Sequence, residues 1–418
     1  MRKILLILAV CSVTGFGQFL ISGRVTSSAY SFTRFDTLLQ STSYVRGYQQ
    51  AQLNFGYQNL SLHTSFNYEN SYTKKMDYDP RLRFNNLYLE SSKMWNFATF
   101  RLGRQPIYSA LAGGVFDGLS AKLSSEDIIF DGFVGANIPA YQELKMISDW
   151  KDNNIIFSRL RYFPSQELTL GVSYVSKKFK STDYRTINEI IDPIKAKIFN
   201  NSQQFEYLNA EASYEKDKLY LRTKYELDLN FAKTSKAEIE CESPITGSLS
   251  GIVYTSYREP RINYNSIFSV FDFGSTVEAE GGLSYELMKN YSVSGRFGYT
   301  RYKDDNASRA NVSYSTPYGS LSYRKTFGYA GELSSVSANT AYTFMSGAFT
   351  PSFSVSYTNY KLSADGPSQN LLSTLAGCNI RPLNYLSVDL QAQYMDNVYY
   401  KKDVRFLVKL NYWFHTVL

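Results

Sequence analysis

Alternation with a period of two, sustained over about ten residues and repeated along the chain, restricts the fold more than any other feature. In 219–229 the odd positions read Leu219, Leu221, Thr223, Tyr225, Leu227 and Leu229, and the even positions Tyr220, Arg222, Lys224, Glu226 and Asp228. In 277–287 the odd set Val277, Ala279, Gly281, Leu283, Tyr285 and Leu287 stands against Glu278, Glu280, Gly282, Ser284 and Glu286. Successive side chains of a strand point to opposite faces, so each segment has one apolar and one polar face, at the length of a tilted membrane strand. Beyond the N-terminal segment no run approaches the roughly 18 apolar residues of a membrane helix. If this chain enters a bilayer, it must do so as strands. The 36 Tyr and 28 Phe beside only 11 Pro favour the same element, and only 187–198, inside a long connection, carries a trace of helical period.

The N-terminus adds a constraint of location. A basic start at Met1, Arg2 and Lys3, a short apolar core over 4–10 and the small residues Gly15 and Gly17 read as a secretory signal peptide over 1–17, too short to span a bilayer. The alternatives are a buried first strand, or a lipoprotein signal at Cys11, which the preceding Val10 disfavours. Loss of Arg2 and Lys3 leaves 42 basic against 37 acidic residues, so the net charge falls from +7 to +5. That mild excess does not argue for nucleic acid. Cys241 and Cys378 lie far apart, in no metal-type or redox-type spacing. The remainder, 18–418, reads as one transmembrane domain.

Ten tight turns punctuate the chain, at 57–59, 92–95, 124–127, 164–166, 216–218, 243–247, 288–290, 316–319, 345–347 and 382–384. Longer polar connections alternate with them, notably 71–81, 106–115, 138–152, 181–202, 259–275 and 362–368. Adding the first and last strands gives about 22 strands, within a range of 16 to 24, and the hairpin around 328–331 is the weakest. An even count with short and long ends alternating describes a single closed antiparallel all-β transmembrane barrel, with short periplasmic turns and long extracellular loops. Alternation alone also fits a soluble sandwich. Two features favour the membrane: aromatics beside the short turns (Trp95, Phe97, Tyr162, Phe163, Tyr214, Tyr291, Tyr318, Phe344, Phe349, Tyr385), as a bilayer interface selects, and a polar face that needs a wide, wet lumen.

The last strand is a third. In "VRFLVKLNYWFHTVL" the positions Val404, Phe406, Val408, Leu410, Tyr412 and Phe414 alternate with Arg405, Lys409 and Asn411. Pairing of 404–414 with 19–32 would remove both sheet edges. An exported β-rich chain that ends this way resembles the Gram-negative outer-membrane barrels. The resemblance implies outer-membrane lipid and the barrel-assembly machinery, which reads the last strand, as partners. It leaves open whether Leu418 takes the terminal role or Phe414 does with an overhang. Phe100-Arg101-Leu102-Gly103-Arg104-Gln105 followed by Phe116-Asp117-Gly118 is similar to a run in some porin and alginate-export-type barrels. By parity Arg104 would face lipid, unless Gly103 bulges or Arg104 snorkels to the interface.

The expected function is a porin-like outer-membrane channel for passive diffusion of small hydrophilic solutes, selecting by size and by wall charge. Arg46, Arg101, Arg159, Arg161, Arg222, Lys224, Arg296, Arg324, Arg405 and Lys409 are the basic candidates for the pore lining, and Glu238, Glu240, Glu242, Glu278 and Glu280 the acidic ones. Cross-strand ion pairing between 222–224 and 238–242 competes with an open charged wall. Loops 181–202 and 259–275 are candidates for a constriction. The alternative function is a structural or adhesive barrel, or the membrane conduit of a larger export complex. No domain of plug size precedes the first strand, so a gated siderophore-type transporter is not expected. An enzyme is not expected either: a barrel-borne hydrolase needs a histidine within reach of a serine or of acidic partners. His415 lies in the tail, and His63 reads as a solvated wall residue. No metal or cofactor is implied, and neither solute identity nor oligomeric state is fixed.

Overall fold

The computed structural model describes residues 19–35, 40–76, 79–109, 111, 113–139, 142–145, 150–179, 203–262, 274–328, 333–361, 366–398 and 402–418. The signal-peptide reading of 1–17, the loop 181–202 with its helical trace, and 263–273 lie outside the described residues. The chain forms 22 strands in one sheet. They are β1 Phe19–Phe35, β2 Ser41–Tyr57, β3 Leu60–Ser71, β4 Arg81–Met94, β5 Ala98–Tyr108, β6 Gly113–Ser124, β7 Ile128–Asn137, β8 Asn154–Tyr162, β9 Leu168–Phe179, β10 Gln203–Lys216 and β11 Leu219–Asp228. The second half comprises β12 Lys233–Pro244, β13 Leu249–Arg258, β14 Thr276–Met288, β15 Tyr291–Arg301, β16 Asn306–Thr316, β17 Gly319–Gly328, β18 Leu333–Ala341, β19 Phe349–Tyr360, β20 Gln369–Leu383, β21 Leu386–Asp396 and β22 Asp403–Val417.

Every strand pairs antiparallel with its sequence neighbours, and β1 pairs with β22 from Leu20 opposite Val417 to Ser31 opposite Phe406. The sheet is therefore a closed barrel with no free edge, the arrangement that satisfies every backbone group in lipid. Phe19 and Leu418 exchange two further backbone hydrogen bonds of 3.0 and 2.8 Å. The strand thus runs on past Phe414 without an overhang. Nine of the ten tight turns fall at the junctions expected, the one expected at 92–95 lies at 95–97 because β4 runs on to Met94, and β17 and β18 flank the doubtful hairpin at 328–331. Among the described residues no helix is long and apolar enough to cross a membrane.

The two faces separate as the alternation requires. On β22 Val404, Phe406, Val408, Leu410 and Tyr412 are 42–57 % exposed on the outside, while Asn411 between them is 3 % exposed within. Large exposed apolar side chains recur on the outer face of nearly every strand, and Trp95, Phe97, Tyr162, Tyr318, Phe344 and Tyr385 are exposed beside the short turns. A surface this apolar would aggregate in water and is stable against hydrocarbon, with the amphipathic aromatics at its border.

Candidate functional site

The lumenal wall is built by strand parity, and the register shows which residues meet there. On its β5 to β10 side the wall carries an apolar cluster: Ile107, Phe116, Phe133, Ile155, Phe157, Val175 and Tyr207 are each 8 % exposed or less, with Leu111 and Phe205 packed against them. Phe133 lies opposite Phe157, Phe157 opposite Val175, and Val175 opposite Tyr207, so one inward row supplies most of it. In this sector the inward face is apolar and packed, where a polar face and a wet lumen were expected. Interior burial of this order is that of a packed core, so this sector offers no water path.

The opposite wall is small and polar. Ser250, Ser284, Ser294, Ser313, Ser322, Ser337, Ser356 and Ser373 are register partners in unbroken succession across β13 to β20. Two pairs within the row exchange hydroxyl hydrogen bonds, Ser294 with Ser313 and Ser322 with Ser337, both at 2.7 Å. The neighbouring row places Arg296, Asn311, Arg324, Ser335 and Thr358 in line. Arg324 is exposed and has no carboxylate partner among the described residues.

Between these sectors lies a charged belt. The expected pairing of Arg222 and Lys224 with the β12 glutamates holds in register, with Arg222 opposite Glu240 and Lys224 opposite Glu238. The contacts themselves are redistributed. Lys236 takes Glu238, while Lys224 reaches Glu226 at 3.6 Å. Fully buried Glu226 also receives Arg261 at 2.7 and 2.8 Å and the Ser235 hydroxyl at 3.0 Å. Arg309 bridges Glu278 and Glu280, the latter at 2.5 Å, and Arg296 reaches Glu280 at 3.4 Å. Glu226, Lys236, Arg258, Arg261, Glu278 and Arg309 of this belt help to line a cavity of about 720 Å³. Glu242 is exposed at the short-turn end of β12.

Most of the other candidates are paired too. Arg101 bonds Glu90 at 2.6 Å, Arg159 and Arg161 share Asp131 at 2.8 and 3.4 Å, Arg405 bonds Asp403 at 2.7 Å, and Lys409 lies 3.9 Å from Asp389. Arg46 points inward but is 6 % exposed, held by Asp79 at 2.8 Å and Glu69 at 3.4 Å, so it anchors the β3–β4 connection and does not line open water. Lys224 and Glu278, each 7 % exposed, are likewise covered. Arg261 and Arg309 were not among the expected residues. Parity with Asn311 and Ser313 could have found Arg309; Arg261 lies past the end of β13, where no period applies.

Arg104 neither faces lipid nor snorkels. It is 3 % exposed and forms a two-pronged bond to Asp117, Nε to Oδ1 at 2.8 Å and Nη2 to Oδ2 at 2.9 Å, while Nη1 donates to the carbonyls of Phe84 and Gln142 at 3.3 and 2.8 Å. Gly103 makes this geometry available with φ +122°, and a Cβ there would lie 2.4 Å from the Leu87 carbonyl oxygen. Gln105 closes the same motif by donating to the Gly118 carbonyl at 3.1 Å and accepting from Ser120 at 2.6 Å. The run 100–105 and the run 116–118 are thus two halves of one locking contact between β5 and β6.

No protein-family model matches the chain, and no curated protein does. Among solved structures it is similar to the siderophore receptor PirA from Acinetobacter baumannii, with TM-score 0.52 and 11 % identity over 94 % of this chain and 80 % of that one. The P pilus usher (PapC) translocation pore gives TM-score 0.49 and 9 % identity over 94 % and 99 % of the two chains. Pseudomonas aeruginosa OpdK with vanillate gives 0.45 and 8 % over 95 % and 99 %. Closure, strand number and outward apolar face together give this chain the fold of the outer-membrane β-barrels.

Proposed function

We propose that the chain is an outer-membrane channel through which small hydrophilic solutes diffuse passively, along the wall from β13 to β22. The asymmetry of the lumen carries this reading: one sector is filled by a buried apolar cluster, and the facing sector presents a row of small serine side chains with Arg296, Asn311 and Arg324 beside it. Selection would be by size and by the wall charges without an ion pair among the described residues, exposed Arg324 among them. In this reading the short turns face the periplasm, lipid covers the outward leucines, valines and aromatics, and β22 is the strand that the assembly machinery engages.

The test is single-channel recording of the purified, detergent-folded protein in a planar bilayer under a salt gradient. Stepwise openings that persist under voltage are expected, and the reversal potential signs the selectivity. Full insertion without current would sink the channel reading and favour an anchor or the conduit of a larger export complex.

A further inference from the structure

The two histidines of the chain stand on one row of the lumenal wall near the short-turn rim. His415 is the register partner of Ser22, Ser22 of Asn54, Asn54 of His63, and His63 of Tyr88. At His63 three polar side chains converge. Ser61 Oγ lies 2.8 Å from Nε2, and Asn54 Oδ1 lies 2.8 Å from Nδ1. The imidazole plane is fixed by stacking on Tyr88, with ring centroids 4.8 Å apart and planes inclined by 17°. Because a carboxamide oxygen only accepts, Nδ1 carries the proton and donates it to Asn54. The Nε2 lone pair is then left to accept from the Ser61 hydroxyl. A solvated wall histidine needs only water. This one is oriented through both nitrogens and one ring face, with the alcohol on the side that takes a proton.

The fold supplies this geometry from two strands. Ser61 and His63 are two residues apart on β3 and so share its inward face, and Asn54 stands opposite His63 on β2. Ser61 and His63 are half-buried and Asn54 is exposed, so a solute in the lumen can reach the group. Arg101 brings a cation to the same stretch of wall: its guanidinium carbon lies 5.7 Å from the centre of the Tyr88 ring, and Glu90, which holds it, is the register partner of Ser61.

We propose that Ser61, His63 and Asn54 form an acyl-transfer site on the lumenal wall, acting on carboxylic esters small enough to enter the barrel. Ser61 Oγ bonds to the ester carbonyl carbon as its proton passes to His63 Nε2. The bond from that carbon to the alkoxy oxygen then breaks, and the alcohol leaves with the proton from Nε2. Water attacks the acyl-serine and gives one proton to Nε2. The carboxylic acid departs as the serine oxygen takes that proton back. Asn54 is a positioning residue that holds the Nδ1–H tautomer. The wall's backbone N–H groups are committed to the sheet, so the charge on the tetrahedral oxygen falls to a side chain, and Arg101 is the cation placed for it.

The experiment uses the full-length, detergent-folded protein, with p-nitrophenyl acetate as substrate and a fluorophosphonate as covalent probe. Release of p-nitrophenolate above the blank is expected, with a single phosphonate adduct mapped to Ser61 by peptide mass spectrometry. Ser61→Ala and His63→Gln should each lower the rate at least 100-fold. Asn54→Ala should lower kcat more than it changes KM and displace the pH profile, and Asn54→Asp should restore both. Single-channel conductance of Ser61→Ala should equal that of the unaltered protein, which separates the fate of this site from that of the channel reading and shows that the variant folds. An unaltered rate in Ser61→Ala, an adduct elsewhere, or neither turnover nor adduct in the parent protein would overturn the proposal.

Discussion

Arg104 and Arg101 sit three residues apart on β5 and show how little a side chain's charge says about its worth. Arg104 is almost fully enclosed, and its guanidinium bonds a carboxylate and two carbonyls. Arg101 is 43 % exposed at its side chain in its pair with Glu90. Removal of Arg104 takes the donor from two backbone carbonyls and from Asp117, whose side chain is 30 % exposed, at about 1–3 kcal/mol, whereas an exposed pair contributes roughly 0–1 kcal/mol. Arg104→Ala should therefore lower the barrel's unfolding midpoint in urea clearly, and Arg101→Ala should leave it nearly unchanged. Equal midpoints would refute the locking role of the 100–105 and 116–118 runs. The sequence shows both runs but not their contact, because parity counts assume regular backbone and Gly103 departs from it with φ +122°. Partners such as Arg261 on Glu226 are hidden for a related reason: they come from connections, where no period constrains direction.

At the scale of the strand the sequence is nearly transparent. A strand buried in lipid on one side and wet on the other has to alternate, and a turn of two to four residues has to use Gly, Asn, Asp, Ser or Pro, so strand number and order follow from counting. The inner face was legible in direction and not in environment. Nothing in the alternation distinguishes Phe133, which is enclosed by its neighbours, from an aromatic side chain standing in open water. β22 tests the facing directly. Val408 is 51 % exposed on the outer face and Lys409 points inward near Asp389. Val408→Lys should destabilise the inserted barrel by about 2–4 kcal/mol, whereas Lys409→Gln should be tolerated. Refolding into vesicles, followed by the mobility shift of the folded band, reads the difference, and equal tolerance would mean that the two faces are exchanged.

For the whole molecule the division of the lumen into a filled and an open sector makes opposite predictions for its two sides. Ser337→Trp, on the open wall, should reduce single-channel conductance severalfold with little change in stability. Phe133→Ala, in the filled sector, should cost about 3–5 kcal/mol of stability and leave conductance close to that of the parent. The reverse pattern would place the path on the other side. Arg324→Glu should move the reversal potential toward cation preference, since the substitution exchanges an exposed cation, without a carboxylate partner among the described residues, for an anion. The serine row has a bearing on assembly as well. Its members alternate along their strands with outward residues such as Tyr285, Val293, Tyr314, Tyr323, Val336 and Tyr357. A slip of one residue at any of these seams would turn that strand's tyrosines and valines into the water and its serines into the lipid. The row thus acts as a register mark: at each of its seven seams the native pairing is the one that leaves no tyrosine or valine in water and no serine in lipid.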